Sequence, residues 1–277
     1  MRRWCLIFGD DATPNKGLAV TEHVNLKLDY HVLRQISHRA VRRAAAFVAM
    51  GQKAWSDESI RSVAIEAPLS VRLLPDPLPD DLAKDIRLNF QLWVVGNAIT
   101  ELVQGLGHFA DDFFESALLV TYHQKTVPQD AINRVRKCKS DTNLHSKLMR
   151  IVDATSVRPP LIAHTDGWTR ARNALTHNNG IVRERDFTPE QGYLRVTWRQ
   201  FEILINGERI ESVIGHVVEK GGGIGFRLGN AHKDFAAGQR IAFTEQEILN
   251  ICLTAHFLTD TSIKELEKHV NQHVNAA

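Results

Sequence analysis

Arg172, Asn173 and His177 fall within one short run, RNALTH, inside the longer stretch TRARNALTHNNGIV at residues 169 to 182. Each helical residue turns by about 100°, so Asn173 and His177 stack one turn apart as a polar patch, with Arg172 to one side of it. Asn178, Asn179 and Gly180 follow as left-handed capping residues, which puts His177 in the last turn of its helix. A histidine so placed beside an arginine can exchange protons near neutral pH. The same residues also fit a purely structural role, in which His177 caps the helix and Arg172 pairs with a surface acid. Both readings stand on these residues alone.

Other familiar chemistry is missing. No GxxxxGK[ST] phosphate loop, GxSxG elbow or HExxH pair occurs, and GGGIG sits among hairpin signals instead of between a strand and a helix. Glu101, His108, Asp112 and Glu115 share a helix face, but no second ExxH supplies matching ligands, so no metal site is expected there.

The elements that must position the patch follow from periodicity. Residues 26 to 50 carry Leu26, Val32, Leu33, Ile36, Ala40, Ala44, Phe47 and Val48 at helical spacing, with Arg34, Arg39, Arg42 and Arg43 on what reads as a solvated face. The prolines of LPDPLPDDL suggest a linker, and a boundary near residue 77 divides a segment 1–76 of unassigned role from a domain 77–277. From 81 to about 122 the pattern predicts one long helix, or two with a kink at Gly105 and Gly107. Another helix is expected over 129 to 154, and the motif helix over about 166 to 177. After Gly180 the period becomes two: GYLRVTWRQFEILINGERIES reads as a hairpin turning at Asn206-Gly207. Thr244 to Glu247 form a capping box that opens a last helix. The fold class is therefore mainly α, a helical bundle with an antiparallel β insertion over about 181–243 before the final helix.

Composition narrows the setting. The chain of 277 residues is 43% hydrophobic and 24% charged, an ordinary globular balance, with a formal net charge of +2. The charge is uneven: residues 125 to 172 carry ten basic and four acidic side chains, a net +6 that leaves −4 for the rest. Cys5, Cys138 and Cys252 are odd in number and far apart, which argues against a disulfide framework and favours a reducing cytoplasm. The opening MRRWCLIFGDD has the charges of a secretion signal, but its apolar run stops at Gly9, and neither secretion nor membrane insertion is expected.

With the elements in place, Arg172-Asn173-Ala174-Leu175-Thr176-His177 resembles the R-x4-6-H motif of the HEPN superfamily, including the polar residue after the arginine. A long helix upstream, a β insertion and a closing helix extend the likeness over about residues 80 to 272. The resemblance implies a metal-independent endoribonuclease, a hydrolase of the toxin–antitoxin or phage-defence kind that needs no cofactor. In such an enzyme His177 would move protons, Arg172 would hold phosphate oxygens with its planar fork, and Asn173 would orient the histidine or the phosphate. Attack by the 2′-hydroxyl would leave a 2′,3′-cyclic phosphate and a 5′-hydroxyl. Arg134, Arg136, Lys137 and Lys139 form a candidate track for the RNA backbone. Arg170, which satisfies a spacing of six, is a second candidate for binding RNA. The expected partners are RNA, a second copy of the chain, and an antitoxin or defence component. The superfamily also implies an alternative, a non-catalytic dimerisation module or one that binds RNA or nucleotides. A third reading is a small-molecule-binding helical protein whose motif match is accidental.

Overall fold

The computed structural model describes residues 28–57, 77–123, 125–155, 157–210 and 222–273. The described elements are, in order, α1 (Tyr30–Ser56), α2 (Asp80–Thr121), α3 (Gln129–Ser140), α4 (Leu144–Thr155), α5 (His164–His177), β1 (Leu194–Ile205), β2 (Glu208–Ile210), β3 (Ile224–Phe235) and α6 (Glu245–His273). The chain is thus mainly helical with one small antiparallel sheet, ordered β2-β1-β3. The start of the expected linker, with Pro75, lies outside the described residues, as do the opening stretch and Cys5.

The 42-residue α2 is the axis of the bundle. From Val94 onward its apolar residues occupy all but the narrow exposed stripe of Asn97, Gln104, His108 and Asp112, with Ile99, Leu102, Leu106, Phe109, Phe113 and Phe114 all at most 2% exposed, and such a helix has to be covered on its other sides. It is: α1, α3, α4, α5 and α6 all pack against it. α1 contributes the stripe Leu33, Ala40, Ala44 and Val48, and shares one core with α2 and α6. Its N-terminus is capped by Asp29, whose carboxylate accepts from the backbone of His31 and Val32.

Of the two readings for 81 to about 122, the single long helix is the one that forms, and α2 runs unbroken through Gly105 and Gly107. Gly105 serves a different purpose: a Cβ built there would lie 2.1 Å from the Cβ of Ala40, so the glycine lets α1 and α2 approach closely. Gly107 meets nothing. The single helix expected over 129 to 154 is instead two, α3 and α4. Asp141 accepts from the backbone of Asn143, and Asn143 from that of Ser146, so these side chains turn the chain and start a new helix. Asp111 of α2 ties the second one down, with Lys147 Nζ at 2.6 Å and both side chains nearly buried. Burial pushes the Cys138 thiol beside it up to about 11, and the Cys252 thiol up to about 12.

The hairpin forms where expected. Asn206 and Gly207 take φ of 55° and 88°, the two positive angles of its tight turn, and β1 pairs with β2 from Ile203 to Ile205. Along β1, Leu194, Val196 and Trp198 alternate inward onto α5 and α6, while β3 pairs with β1 over its whole length. The capping box of α6 is complete, Thr244 and Glu247 each accepting from the other's backbone.

The two α2 glycines should respond oppositely to a methyl group. Gly105→Ala is expected to cost about 1–3 kcal/mol by urea unfolding, because α1 must move away. Gly107→Ala should gain up to about 1 kcal/mol from helix propensity. Equal effects would show that the α1–α2 contact is looser than described.

Candidate functional site

α5 is held at both ends by groups that leave its last turn rigid. At its start, Gly167 lies so close to β1 that a Cβ there would meet the Arg195 carbonyl oxygen at 2.3 Å, and the Trp168 indole donates to the Thr197 carbonyl at 2.9 Å. At its end, Asn178 and Gly180 donate to the Ala174 carbonyl, and Asn179 and Gly180 adopt positive φ of 52° and 75°, as the capping residues require.

Just beyond lies a buried polar knot. Asp186, 5% exposed, accepts from the Asn178 amide at 3.2 Å and from the Arg183 backbone at 2.9 Å, while Arg185 donates to Asn178 Oδ1 at 2.7 Å. Backbone bonds from Val182 to Gln239, from Gly238 to Val182 and from Ile241 to Gly180 then fasten the exit segment to residues 238–241.

On this pedestal His177 is exposed and makes no hydrogen bond or ion pair among the described residues. Arg172 is half-buried. Its Nη1 donates to Asn173 Oδ1 at 3.0 Å, and its Nε is shielded from water without an acceptor. Asn173 therefore orients the guanidinium directly. A shielded donor without an acceptor is costly, and an anion meeting the free edge of the fork would remove that cost. No acid pairs with Arg172 among the described residues, so the surface ion pair that a structural role would give it is not formed there.

Arg170 is differently engaged. Asp166 Oδ2 lies 2.9 Å from its Nε, and the Phe187 carbonyl accepts from its Nη1 at 2.8 Å, so this side chain braces the loop after α5. The basic residues of α3 divide in the same way. Arg134 pairs with Asp130 one turn earlier, and Lys139 reaches Glu115 of α2 at 2.8 Å, whereas Arg136 and Lys137 are exposed and unpaired among the described residues. Glu101, grouped in the sequence with His108, Asp112 and Glu115, pairs with Arg43 at 3.2 Å.

The structure adds cations that spacing could not show. The bridge between Ile181 and Arg240 brings exposed Arg240 against Gly180, beside the end of α5, and Arg183 is exposed in the same loop. Arg240 comes from beyond the sheet, so only the fold makes it a neighbour of the motif. At the other end of α5 an open cleft of about 320 Å³ lies between the helix and the sheet, lined by His164, Asp166, Gln191, Asn230 and His232 among others. His164 there donates to or accepts from Thr197 Oγ1 at 2.7 Å, and burial, then Arg199, holds its pKa below the usual histidine value.

Compared with protein-family models, with curated proteins and with solved structures, the chain matches none. Among the described residues no helix is long and apolar enough to cross a membrane.

The knot and the histidine it presents should separate in a stability measurement. Asp186→Ala strands two donors and should cost about 1–3 kcal/mol by urea unfolding. His177→Ala, at an exposed position, should change stability by less than about 0.5 kcal/mol. A large loss for His177→Ala would make it a structural cap.

Proposed function

We propose that the chain is a metal-independent endoribonuclease of the HEPN kind, acting through attack of the substrate's 2′-hydroxyl. The observation that carries this reading is the contrast along α5. Arg170 is consumed by structural partners, while Arg172 keeps an unfilled edge of its fork and His177 stands free on a braced helix end. Residues kept without partners on a rigid support suit a site that binds and transforms a ligand.

The roles follow from the chemistry of each group. Arg172, positioned by Asn173, binds the scissile phosphate and offsets the charge that gathers on its oxygens. His177 takes the proton from the 2′-hydroxyl or returns one to the departing 5′-oxygen. The first step forms a bond from O2′ to phosphorus and breaks the bond to O5′, leaving a 2′,3′-cyclic phosphate and a 5′-hydroxyl. Arg240 and Arg183 at the helix end, with Arg136 and Lys137 on α3, supply further cationic contacts for RNA.

One copy is a poor catalyst by itself. Five residues apart on a straight helix, Arg172 and His177 point about 140° from each other, so the active form is a homodimer in which two motif helices face across a two-fold axis. Such a cleft has two histidines, one for each proton transfer. Trp93 supports this arrangement: it is 64% exposed on α2, one turn before Gly96, where Leu175 of α5 packs. A toxin or defence role, with a cognate antitoxin or partner, is part of the same proposal. A non-catalytic module that only binds RNA or nucleotides is the alternative outcome of the test.

Incubation with mixed RNA and end-group analysis should show cyclic phosphate ends. His177→Ala should lower the rate by about 10²–10⁴-fold, and Arg172→Lys should rescue Arg172→Ala poorly, since an ammonium lacks the fork. A 2′-deoxy residue at the cut site should block cleavage, and specific activity should fall on dilution in step with dimer dissociation. RNA binding without cleavage would favour the non-catalytic module, and wild-type rates in His177→Ala would remove that residue from the mechanism.

A further inference from the structure

Far from α5, three potential metal ligands meet between α1 and α6. His256 and Asp260 lie one turn apart on α6, and His38 enters from α1. Each residue offers a ligand atom, and these atoms lie within 4.8 Å of one another, the one such group among the described residues. His38 Nε2 is 3.3 Å from Asp260 Oδ1, and His256 Nε2 is 3.4 Å from Asp260 Oδ2. Neither contact has the length of a good imidazole–carboxylate hydrogen bond, about 2.7–2.9 Å.

The atoms that converge are also unsatisfied. His38 Nε2 and Asp260 Oδ1 are shielded from water and have no hydrogen-bond partner, and His38 as a whole is only 9% exposed. Leaving such groups unpaired is costly. The separations instead suit ligands around a common ion: with metal–nitrogen and metal–oxygen bonds of about 2.0–2.2 Å and tetrahedral angles, ligand atoms stand about 3.4 Å apart.

We propose that His38, His256 and Asp260 bind one transition-metal dication of the zinc class. Two imidazoles and one carboxylate select zinc, cobalt, nickel or copper over the hard magnesium and calcium ions. The two rings stack at 4.2 Å and 25°, so the half-exposed His256 ring turns to aim its in-plane lone pair at an ion held by His38 and Asp260. Arg34 Nε lies 2.9 Å from Asp260 Oδ1, close enough for an ion pair though out of line for a hydrogen bond. It thus steadies the carboxylate from outside the ligand set.

The framework is rigid next to the ligands. Thr259, adjacent to Asp260, donates its hydroxyl to that of Ser37, adjacent to His38, at 2.6 Å, and both are fully enclosed. On the other side His256 and Asp260 remain 39% and 32% exposed at their side chains, which leaves room for water as a fourth ligand. The ion cross-links the first and last described helices, a contact between segments at opposite ends of the chain.

The test uses the full chain, purified without a polyhistidine tag, stripped by a chelator and dialysed. Titration with zinc chloride in a calorimeter should give one saturable equivalent, zinc should raise the melting temperature, and cobalt(II) should give the visible bands of a low-coordinate site. His256→Ala and Asp260→Asn should each weaken binding at least tenfold and abolish the zinc-dependent rise. Both change partly exposed side chains, so folding is expected to survive where the buried His38→Ala could fail. His273→Ala, which breaks the separate His269–His273 pair on α6, should bind as the wild type does. So should His177→Ala, which separates this proposal from the ribonuclease reading. No saturable equivalent in the wild type, or equal binding by His256→Ala and Asp260→Asn, would overturn it.

Discussion

Everything described in this chain is arranged around the need to hide α2. From Val94 to Val120 this helix is apolar on all but the narrow stripe of Asn97, Gln104, His108 and Asp112. Five helices cover it, and the cover determines where polar residues can stand. The α1 contact requires Gly105 against Ala40, and the α4 contact is fastened by Asp111 and Lys147, charges that sit in the interior because each has the other. Removing either would leave a buried charge alone, so the pair fixes the pose of α4 more than it adds net stability.

α5 illustrates how that cover becomes a possible working surface. Its inner face gives Trp168, Ala171 and Ala174 to the core, and Leu175 meets α2 at Gly96. Its outer residues are sorted by what the neighbouring loop offers. The turn at Glu184–Asp186 and the Phe187 carbonyl engage Asn178 and Arg170. Among the described residues, Arg172 hydrogen-bonds only Asn173, and His177 has no hydrogen bond or ion pair. The sheet, through Gly167, Trp168 and the strand at β1, makes the helix a rigid mount and not a mobile tether.

The interface of α1 with α6 has the opposite character. It is small-residue and polar, with Ser37, Thr259 and Ser262 buried and hydrogen-bonded where apolar side chains would otherwise pack. Polar atoms in such a place need specific partners. Ser37 and Thr259 satisfy each other; His38 Nε2 has no hydrogen bond and faces Asp260 Oδ1, which has an ion pair with Arg34 but no hydrogen bond. Two helices from opposite ends of the chain therefore depend on a few directional contacts for their register.

Local rules were enough to read much of this from the amino acids alone. The positions of α2 and α6, the Asn206-Gly207 hairpin, the Thr244 capping box and the end of the motif helix all depend on periodicity or capping within a few residues, and all stand where those rules put them, while α1 runs from Tyr30 to Ser56, six residues past the end expected from its apolar period. The break between α3 and α4 was legible in principle, since Asp141 and Asn143 cap by local hydrogen bonds, but the apolar period on either side masked it. Other features had no local signal. Whether Gly105 kinks a helix or admits a neighbour depends on Ala40, and whether Arg170 or Arg172 is free depends on Phe187 and Asp166. Arg240 beside the motif and His38 facing His256 arise from contacts across long stretches of chain. Periodicity records which face of an element is buried; only packing decides which partner buries it, because that choice is made by the fit of whole elements against one another.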